Sequence, residues 1–270
     1  PVPTGTGSVG RGGCIFCSQG GSGDFAAKSG SLSVAGGLAK KLVEKKAGPD
    51  ALYIAYFQSY TNTYALSYLE ALFTEAVSLP EVCALSIGTR PDCLPDETVA
   101  LLSRLNQEKP VWVELGLQTI HESTAPFIRR GYGLPVFEDA FRRLRAEVTV
   151  IVHVILGLPG ETREDMLETI RYLAGLKIDG IKLQLLHVLK GTDLDRLYRQ
   201  SASRSWSFPS IWSWWELFKA PPPETVIHRL TGDGPRSLLT APLWSGNKRL
   251  VLNSMARYLK ENKIYQGQEY

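Results

Sequence analysis

A chain of 270 residues, 44% of them hydrophobic, can bury a sizeable core, either as one large domain or as a domain with an appendage. A formal charge of +3 and a pI near 8.7 permit an RNA partner without arguing for one. There is no long apolar run and no signal peptide, and four cysteines with two in a Cys-x-x-Cys argue against a secreted disulfide framework, so a soluble cytoplasmic protein with no membrane partner is expected.

The chain begins with Pro1 rather than Met, and its natural N-terminus is expected to be missing. Residues 1–30 are rich in Gly and Ser and read as loop. Within them lies Gly12-Gly13-Cys14-Ile15-Phe16-Cys17-Ser18, where two cysteines three apart can place two thiolates on one metal centre. Alone, the pair also fits half a zinc site, a redox pair or two plain thiols. Helical spacing from Leu32 to Lys46 is stopped by Gly48-Pro49. Strands are predicted at Ala51–Phe57, Val82–Ile87, Val111–Gln118, Val148–Leu156 and Gly180–Leu186. Helices are predicted between them at Ala65–Leu79, Asp96–Asn106 (Asp96 as N-cap), Val136–Ala146 and Glu164–Leu176.

Strand and helix alternate, and the strands are almost continuously apolar, which is the pattern of a parallel sheet covered by helices. The count fits a partial or full α/β barrel. Polar residues cluster directly after the strands: Gln58, Thr61 and Asn62; Thr89 and Arg90; Gln118; Gly157 to Glu161; His187 and Lys190. In a parallel barrel these positions share one rim, where sites are built. In the last seventy residues, Glu224–Leu230 reads as a strand, Thr231 to Arg236 as a glycine-rich turn, and Arg249–Glu261 as a helix. His228, Arg229, Asp233, Arg236, Trp244 and Lys248 are more polar function than a closing helix needs. Gly-rich backbone with Arg suits phosphate or nucleotide contact, and structural turns are the alternative.

The stretches GGCIFCS, IAYFQSYTNTYA, LSIGTRPDCLPDE, VWVELGLQTIH, VILGLPGETREDM, GIKLQLLHVLKGT and VIHRLTGDGP resemble the radical S-adenosylmethionine (radical SAM) superfamily. More narrowly they are similar to its YhcC-like branch, related to elongator-type and anaerobic coproporphyrinogen-oxidase-type proteins. The resemblance implies an α/β fold: a partial (β/α)6 TIM-like barrel over residues 1–200, with a C-terminal α/β extension over residues 201–270. It also implies a [4Fe–4S] cluster and S-adenosylmethionine as cofactors, which together yield a 5′-deoxyadenosyl radical. An electron donor such as flavodoxin or ferredoxin is implied as a partner.

By the same resemblance, Cys14 and Cys17 match two cluster ligands, and Phe16 matches the aromatic residue beside adenine. Gln58, Thr61 and Asn62 stand where the methionyl amine is bound. Arg90, Glu114 and Gln118 point to the S-adenosylmethionine or substrate side. Gly157, Leu158 and Pro159 match the strand that passes the adenine. His187, Lys190, His228, Arg229, Asp233 and Arg236 are the expected substrate contacts.

The pattern needs a third cysteine, which the branch carries in a leader resembling T-C-P-N-R-D-G. Here Pro1 to Thr6 stand instead, and counting back without gaps puts the missing cysteine at Val2. The codons ACC TGT CCC AAC AGG GAC GGN encode that leader, and one base late they encode Pro-Val-Pro-Thr-Gly-Thr. A reading-frame error is therefore expected over residues 1–6. A second is expected over about 201–218, where Ser205 to Phe218 hold four of the six tryptophans. A genuine Trp-rich surface, stacking on RNA bases or lying at a membrane interface, is the alternative there. This chain is expected to bind a cluster poorly or not at all.

Three functions follow. The first is a radical SAM enzyme acting on tRNA at a modified wobble uridine. The second is the same chemistry on a small-molecule or tetrapyrrole-like substrate. The third is a non-catalytic protein whose Cys14, Cys17, Cys83 and Cys93 hold a structural zinc.

Overall fold

The computed structural model describes residues 13–17, 48, 50–58, 61–63, 66–201, 214–232, 234 and 236–270. The helix expected at Leu32–Lys46, the leader at residues 1–6, most of the Trp-rich stretch and Asp233 lie outside these residues. In chain order the elements are β1 (Tyr53–Phe57), α1 (Leu66–Ser78), β2 (Val82–Thr89), α2 (Asp96–Asn106) and β3 (Val111–Gln118). Then come α3 (Thr124–Phe127), α4 (Leu134–Leu144), β4 (Thr149–Leu156), α5 (Arg163–Gly175) and β5 (Gly180–Leu185). The last are β6 (Val188–Leu189), α6 (Asp193–Ser201), β7 (Val226–Arg229), β8 (Leu239–Ala241) and α7 (Lys248–Glu261). They fall into two compact units. One comprises Pro1–Arg11, Gln19–Gly116 and Pro135–Val150, the other Gly12–Ser18, Leu117–Leu134 and Ile151–Tyr270.

In the first unit β1 pairs parallel with β2, and β2 with β3. A parallel pair needs a crossover, and α1 and α2 supply it. Phe73, Ala76 and Val77 of α1 and Leu101, Leu102 and Leu105 of α2 are buried with Leu85, Ile87 and Val113 of the strands. Phe57 meets Phe73 edge-on, with ring centroids 4.8 Å apart. Asp96 is the first residue of α2, not its cap. Pro95 holds the cap position in an extended conformation, and Asp96 and Glu97 face the positive end of the helix dipole. Cys83, expected inside a buried strand, is exposed, because strand alternation turns it out between buried Val82 and Ala84.

In the second unit β4 pairs parallel with β5, and β5 with β7. The crossover helix α5 opens on a capping box. Thr162 Oγ1 accepts from Asp165 N, and Asp165 Oδ2 accepts from Thr162 N at 2.7 Å. β6 and β8 form a separate antiparallel pair. β7 lies beyond residue 200, so the C-terminal segment contributes a strand to the parallel set. It carries a bulge: Ile181 faces Ile227 but Lys182 faces Arg229, leaving His228 as the extra residue. Trp215, Phe218, Met255 and Ile264 form a core under α7. Trp214 and Trp215 are 6% and 2% exposed, so these two belong to no exposed stacking or interfacial surface.

Three parallel strands in each unit, counted among the described residues, give the strand complement of the expected partial (β/α)6 TIM-like barrel. The fold class is α/β, with a C-terminal α/β region. No described helix is long and apolar enough to cross a membrane.

Candidate cofactor site

The cysteine turn is built around its middle. Gly13 takes φ +63°, a left-handed conformation that glycine adopts without steric cost. Cys17 N then donates to Cys14 O at 3.2 Å, closing a turn over the pair. Between the cysteines Ile15 is 3% exposed and packs with Ile128, Ile155, Leu158, Leu186, Val188, Leu194 and Ala241. Its backbone is held on both sides: Ile15 N donates to Ile128 O at 3.4 Å, and Leu194 N donates to Ile15 O at 2.9 Å. Phe16 packs on the same cluster, Cys14 is half-buried and Cys17 is exposed. Cys14 Sγ lies 3.9 Å from Arg129 O, and Arg129 pairs with Asp193 at 2.5 Å.

This turn offers two thiols from one anchored loop, which suits two corners of an iron–sulfur cluster. The resemblance places the third before Cys14, outside the described residues. No cysteine precedes Cys14 in the sequence. Cys83 lies near the start of β2 and Cys93 beyond its end, roughly 20 Å apart at the usual rise of a strand, so they cannot share one ion. Cys93 is moreover buried, and burial together with the neighbouring Asp92 carboxylate pushes its thiol up to about 12. A neutral, buried thiol is a poor ligand. A four-cysteine zinc site is therefore not formed among the described residues.

In the first unit the predicted residues are held by their own surroundings. Asn62 Nδ2 donates to Phe57 O at 2.8 Å and to Gly88 O at 3.0 Å, tying the loop after β1 to the ends of β1 and β2. Thr61 is 5% exposed and Gln58 half-buried. Arg90 forms a bidentate, largely buried pair with Asp92, at 2.9 and 2.7 Å. Glu114 is 3% exposed, accepting from Ser86 Oγ at 2.7 Å and from the Tyr56 hydroxyl. Its carboxylate is thus a satisfied one.

In the second unit the turn after β4 meets the cysteine turn, because Leu158 is buried in the same cluster as Ile15. Gly157 has φ +83° and its N–H reaches Met166 Sδ at 3.2 Å, while Pro159 is half-buried. Gln118 sits at φ +73°, a conformation a glutamine rarely adopts. Arg130, 1% exposed, holds it there. Its Nη1 donates to Thr119 O at 2.6 Å and Leu117 O at 3.4 Å, on either side of Gln118. Its other nitrogens bind Tyr132 O at 2.8 Å and Glu122 Oε1 at 2.6 Å.

Sequence reasoning missed Arg130, since nothing local marks an arginine as buried. It also gave Glu161 no role, although Glu161 ends the Pro-Gly-Glu-Thr turn. Burial pushes the Glu161 carboxyl up, against the hydroxyls of Thr119 and Thr124, and its Oε1 is buried without a hydrogen-bond partner among the described residues. Nearby, His121, Asp165 and Glu168 bring ligand-type atoms within 4.8 Å of one another. This is a helix cap: His121 Nε2 lies 2.9 Å from Asp165 O, and the Thr162 hydrogen bonds hold the Asp165 carboxyl below its usual range.

Of the expected substrate contacts, His187 and Arg229 lie toward the end of β5 near Gln184, and His228 lies at the start of that strand. His187 is 7% exposed, under a turn whose Gly232 and Gly234 pass so close that a Cβ would meet the imidazole at 2.7 and 3.2 Å. Arg229 Nη1 donates to Gln184 Oε1 at 2.9 Å. His228 lies over Gly180, where a Cβ would meet its ring at 2.7 Å. Lys190 and Arg236 are instead bound to backbone carbonyls, those of Ser237 (3.1 Å) and Gly246.

A parallel α/β fold with a cysteine turn beside the strand ends defines a class, and comparison names it. The chain belongs to the radical SAM superfamily: the model for that superfamily matches residues 7–173, and the model for the Radical_SAM C-terminal domain matches residues 178–261. It is an enzyme of the kind that generates a 5′-deoxyadenosyl radical. The chain is 41% identical over 269 residues to the uncharacterized protein YtqA of Bacillus subtilis, covering 98% of this chain and 83% of that one. It is 34% identical over 266 residues to protein YhcC of Escherichia coli, covering 97% and 85%. Its fold resembles that of archaeal Methanocaldococcus infernus Elp3, with a TM-score of 0.70 at 16% identity. That match covers 86% of this chain and 59% of the Elp3 chain.

Proposed function

We propose that this protein modifies tRNA at a wobble uridine, with a cluster and S-adenosylmethionine supplying the radical. The observation that carries the reading is the end of β5, where Arg229 bonds to Gln184 and His187 lies under the Gly232 turn, in the unit that holds the cysteine turn. The likeness of the motifs to elongator-type proteins supports it, and the net charge of +3 permits it. In this reading residues 1–200 carry five strands of the barrel, and residues 201–270 supply the sixth, β7, together with an extension that contacts substrate. The enzyme works in the cytoplasm with a flavodoxin or ferredoxin as electron donor.

Cys14 and Cys17 hold two irons, with a third thiolate required from position 2. Phe16, Gly157, Leu158 and Pro159 wall the adenine and exclude water. Gln58, Thr61 and the Oδ1 of Asn62 accept from the methionyl amine, the Nδ2 of Asn62 being held by strand-end carbonyls. Arg90 with Asp92, Glu114, and Gln118 on its Arg130 clamp orient the S-adenosylmethionine and substrate.

The test is anaerobic turnover of bulk tRNA by a version with cysteine restored at position 2, followed by mass spectrometry of the nucleosides. A cluster-dependent mass change on uridine is expected. Turnover only of a small metabolite would contradict the RNA assignment.

A further inference from the structure

Beside the cysteine turn the second unit carries a belt of cations. It starts where α6 meets the turn, with Leu194 N donating to Ile15 O. Arg129 and Arg196 share the Asp193 carboxylate, and Arg199 Nε donates to Asp195 Oδ1 at 3.0 Å. Arg199 also reaches the Thr240 hydroxyl on β8 at 3.4 Å, while Asp195 Oδ2 accepts from Gly191 N at 3.3 Å. Lys190, beside Gly191, crosses from the end of β6 to the Ser237 carbonyl at 3.1 Å. Arg236, beside Ser237, binds the Gly246 carbonyl. A continuous line of contacts thus joins the five cations, and Ser237 and Thr240 are at most about 11 Å apart along the chain.

The belt is positive on its outer side. Its five cations face two carboxylates, and residues 236–260 contain no Asp or Glu. Lys190 and Arg236 bond to neutral carbonyls and to no acid among the described residues. The carboxylates lie deeper than their partners: the Asp193 and Asp195 side chains are 30% and 11% exposed, against 67% for Arg196 and 59% for Arg199. The acids hold the guanidinium groups from behind, so less freedom is lost when those groups take up a further anion. A guanidinium has five donors, and one or two bonds to an acid do not exhaust them.

We infer that the belt of Arg129, Lys190, Arg196, Arg199 and Arg236 binds the phosphodiester backbone of an RNA substrate. Exposed cations strung along a surface suit an extended polyanion, which engages several of them at once and releases counterions at each neutralised phosphate. A small anion would touch one or two of them in open water, where such pairs contribute little. Apolar surface adjoins the charge: next to the Arg236–Gly246 contact, Leu243 is 74% exposed and Trp244 half-buried. A nucleotide presents an apolar base face beside its phosphate, and an acidic protein side chain does not. Contacts made along the belt would hold the reacting nucleotide near the cysteine turn, using binding remote from the chemistry to position it. That the polyanion is RNA rests on the proposed function. That the surface takes a polyanion rests on the contacts and the charge.

The experiment measures binding of a fluorescent RNA hairpin by anisotropy over a range of salt, using the chain as it stands without cluster or S-adenosylmethionine. Binding is expected. Lys190→Gln combined with Arg236→Gln should weaken it roughly tenfold at low salt and make the log–log salt slope shallower by about two. Arg142→Gln, on exposed α4 of the other unit, should leave affinity and slope unchanged. Circular dichroism melts check that the variants are folded, and Arg196→Gln decides if the double variant is not. Absence of RNA binding, or unchanged affinity and slope in the belt variants, overturns the surface. Poly-glutamate forms the second arm. Binding as tight as that of RNA of equal charge assigns the belt to an acidic protein and overturns the RNA assignment, while weaker binding supports it. With the leader restored, equal tRNA turnover by wild type and double variant would overturn this surface and leave the proposed function standing. RNA held by the belt with its uridines unmodified would sink the proposed function and leave the surface standing.

Discussion

Glu161 is a carboxyl placed where its charge is disfavoured. Burial raises its folded value above that of an unfolded glutamate, about 4.3. The fold therefore prefers the protonated form. Its stabilising preference is fully present below the unfolded value and is lost as the pH rises through the raised one. At neutral pH the ionised side chain destabilises, so Glu161→Gln should raise the melting temperature there. The gain should vanish near pH 4, where wild type is protonated as well. Paired thermal melts across that range check this, and a gain of equal size at both ends would contradict it.

At the scale of elements, the loop after β3 depends on one buried cation. Arg130 replaces water for the carbonyls on both sides of Gln118, and so stabilises a left-handed glutamine. Arg130→Ala would leave those acceptors buried and unmatched, at a cost on the order of 3 kcal/mol. For a chain of this size the melting temperature should fall by on the order of 10 °C. Arg130→Lys should recover less than half, because a point-like ammonium cannot fork between two carbonyls. A melt of Arg130→Ala within about 2 °C of wild type would contradict the clamp.

The same elements show what the sequence made legible. Apolar runs such as Val150 to Leu156, bracketed by turn residues, marked the strands, and the observed ends differ from expectation by two residues or fewer, as at Tyr53 and Leu134. Periodicity and turn chemistry are local, and they were enough. The facing of Cys83, the bulge that re-aims Arg229 and the partners of Arg130 depend on pairing between distant segments, which local pattern does not contain. Spacing revealed Cys14 and Cys17. That Ile15 anchors them could not be read, because an isoleucine between two cysteines resembles any other apolar residue until its neighbours are known.

For the whole molecule, the fold and family are those of a radical SAM enzyme, and the described cysteine turn presents two thiols. The turn that presents them is anchored through Ile15. Restoring the third thiolate should therefore complete a site already mostly formed. The most direct measurement is anaerobic iron–sulfur reconstitution of two proteins side by side: the chain as it stands, and one with Val2→Cys in a T-C-P-N-R-D-G leader. Iron, sulfide and 5′-deoxyadenosine are assayed in both. Cluster retention and S-adenosylmethionine cleavage are expected in the restored protein alone. Equal cluster content and cleavage in both would show that position 2 is not the missing ligand, and failure of both would remove Cys14 and Cys17 from the role assigned to them.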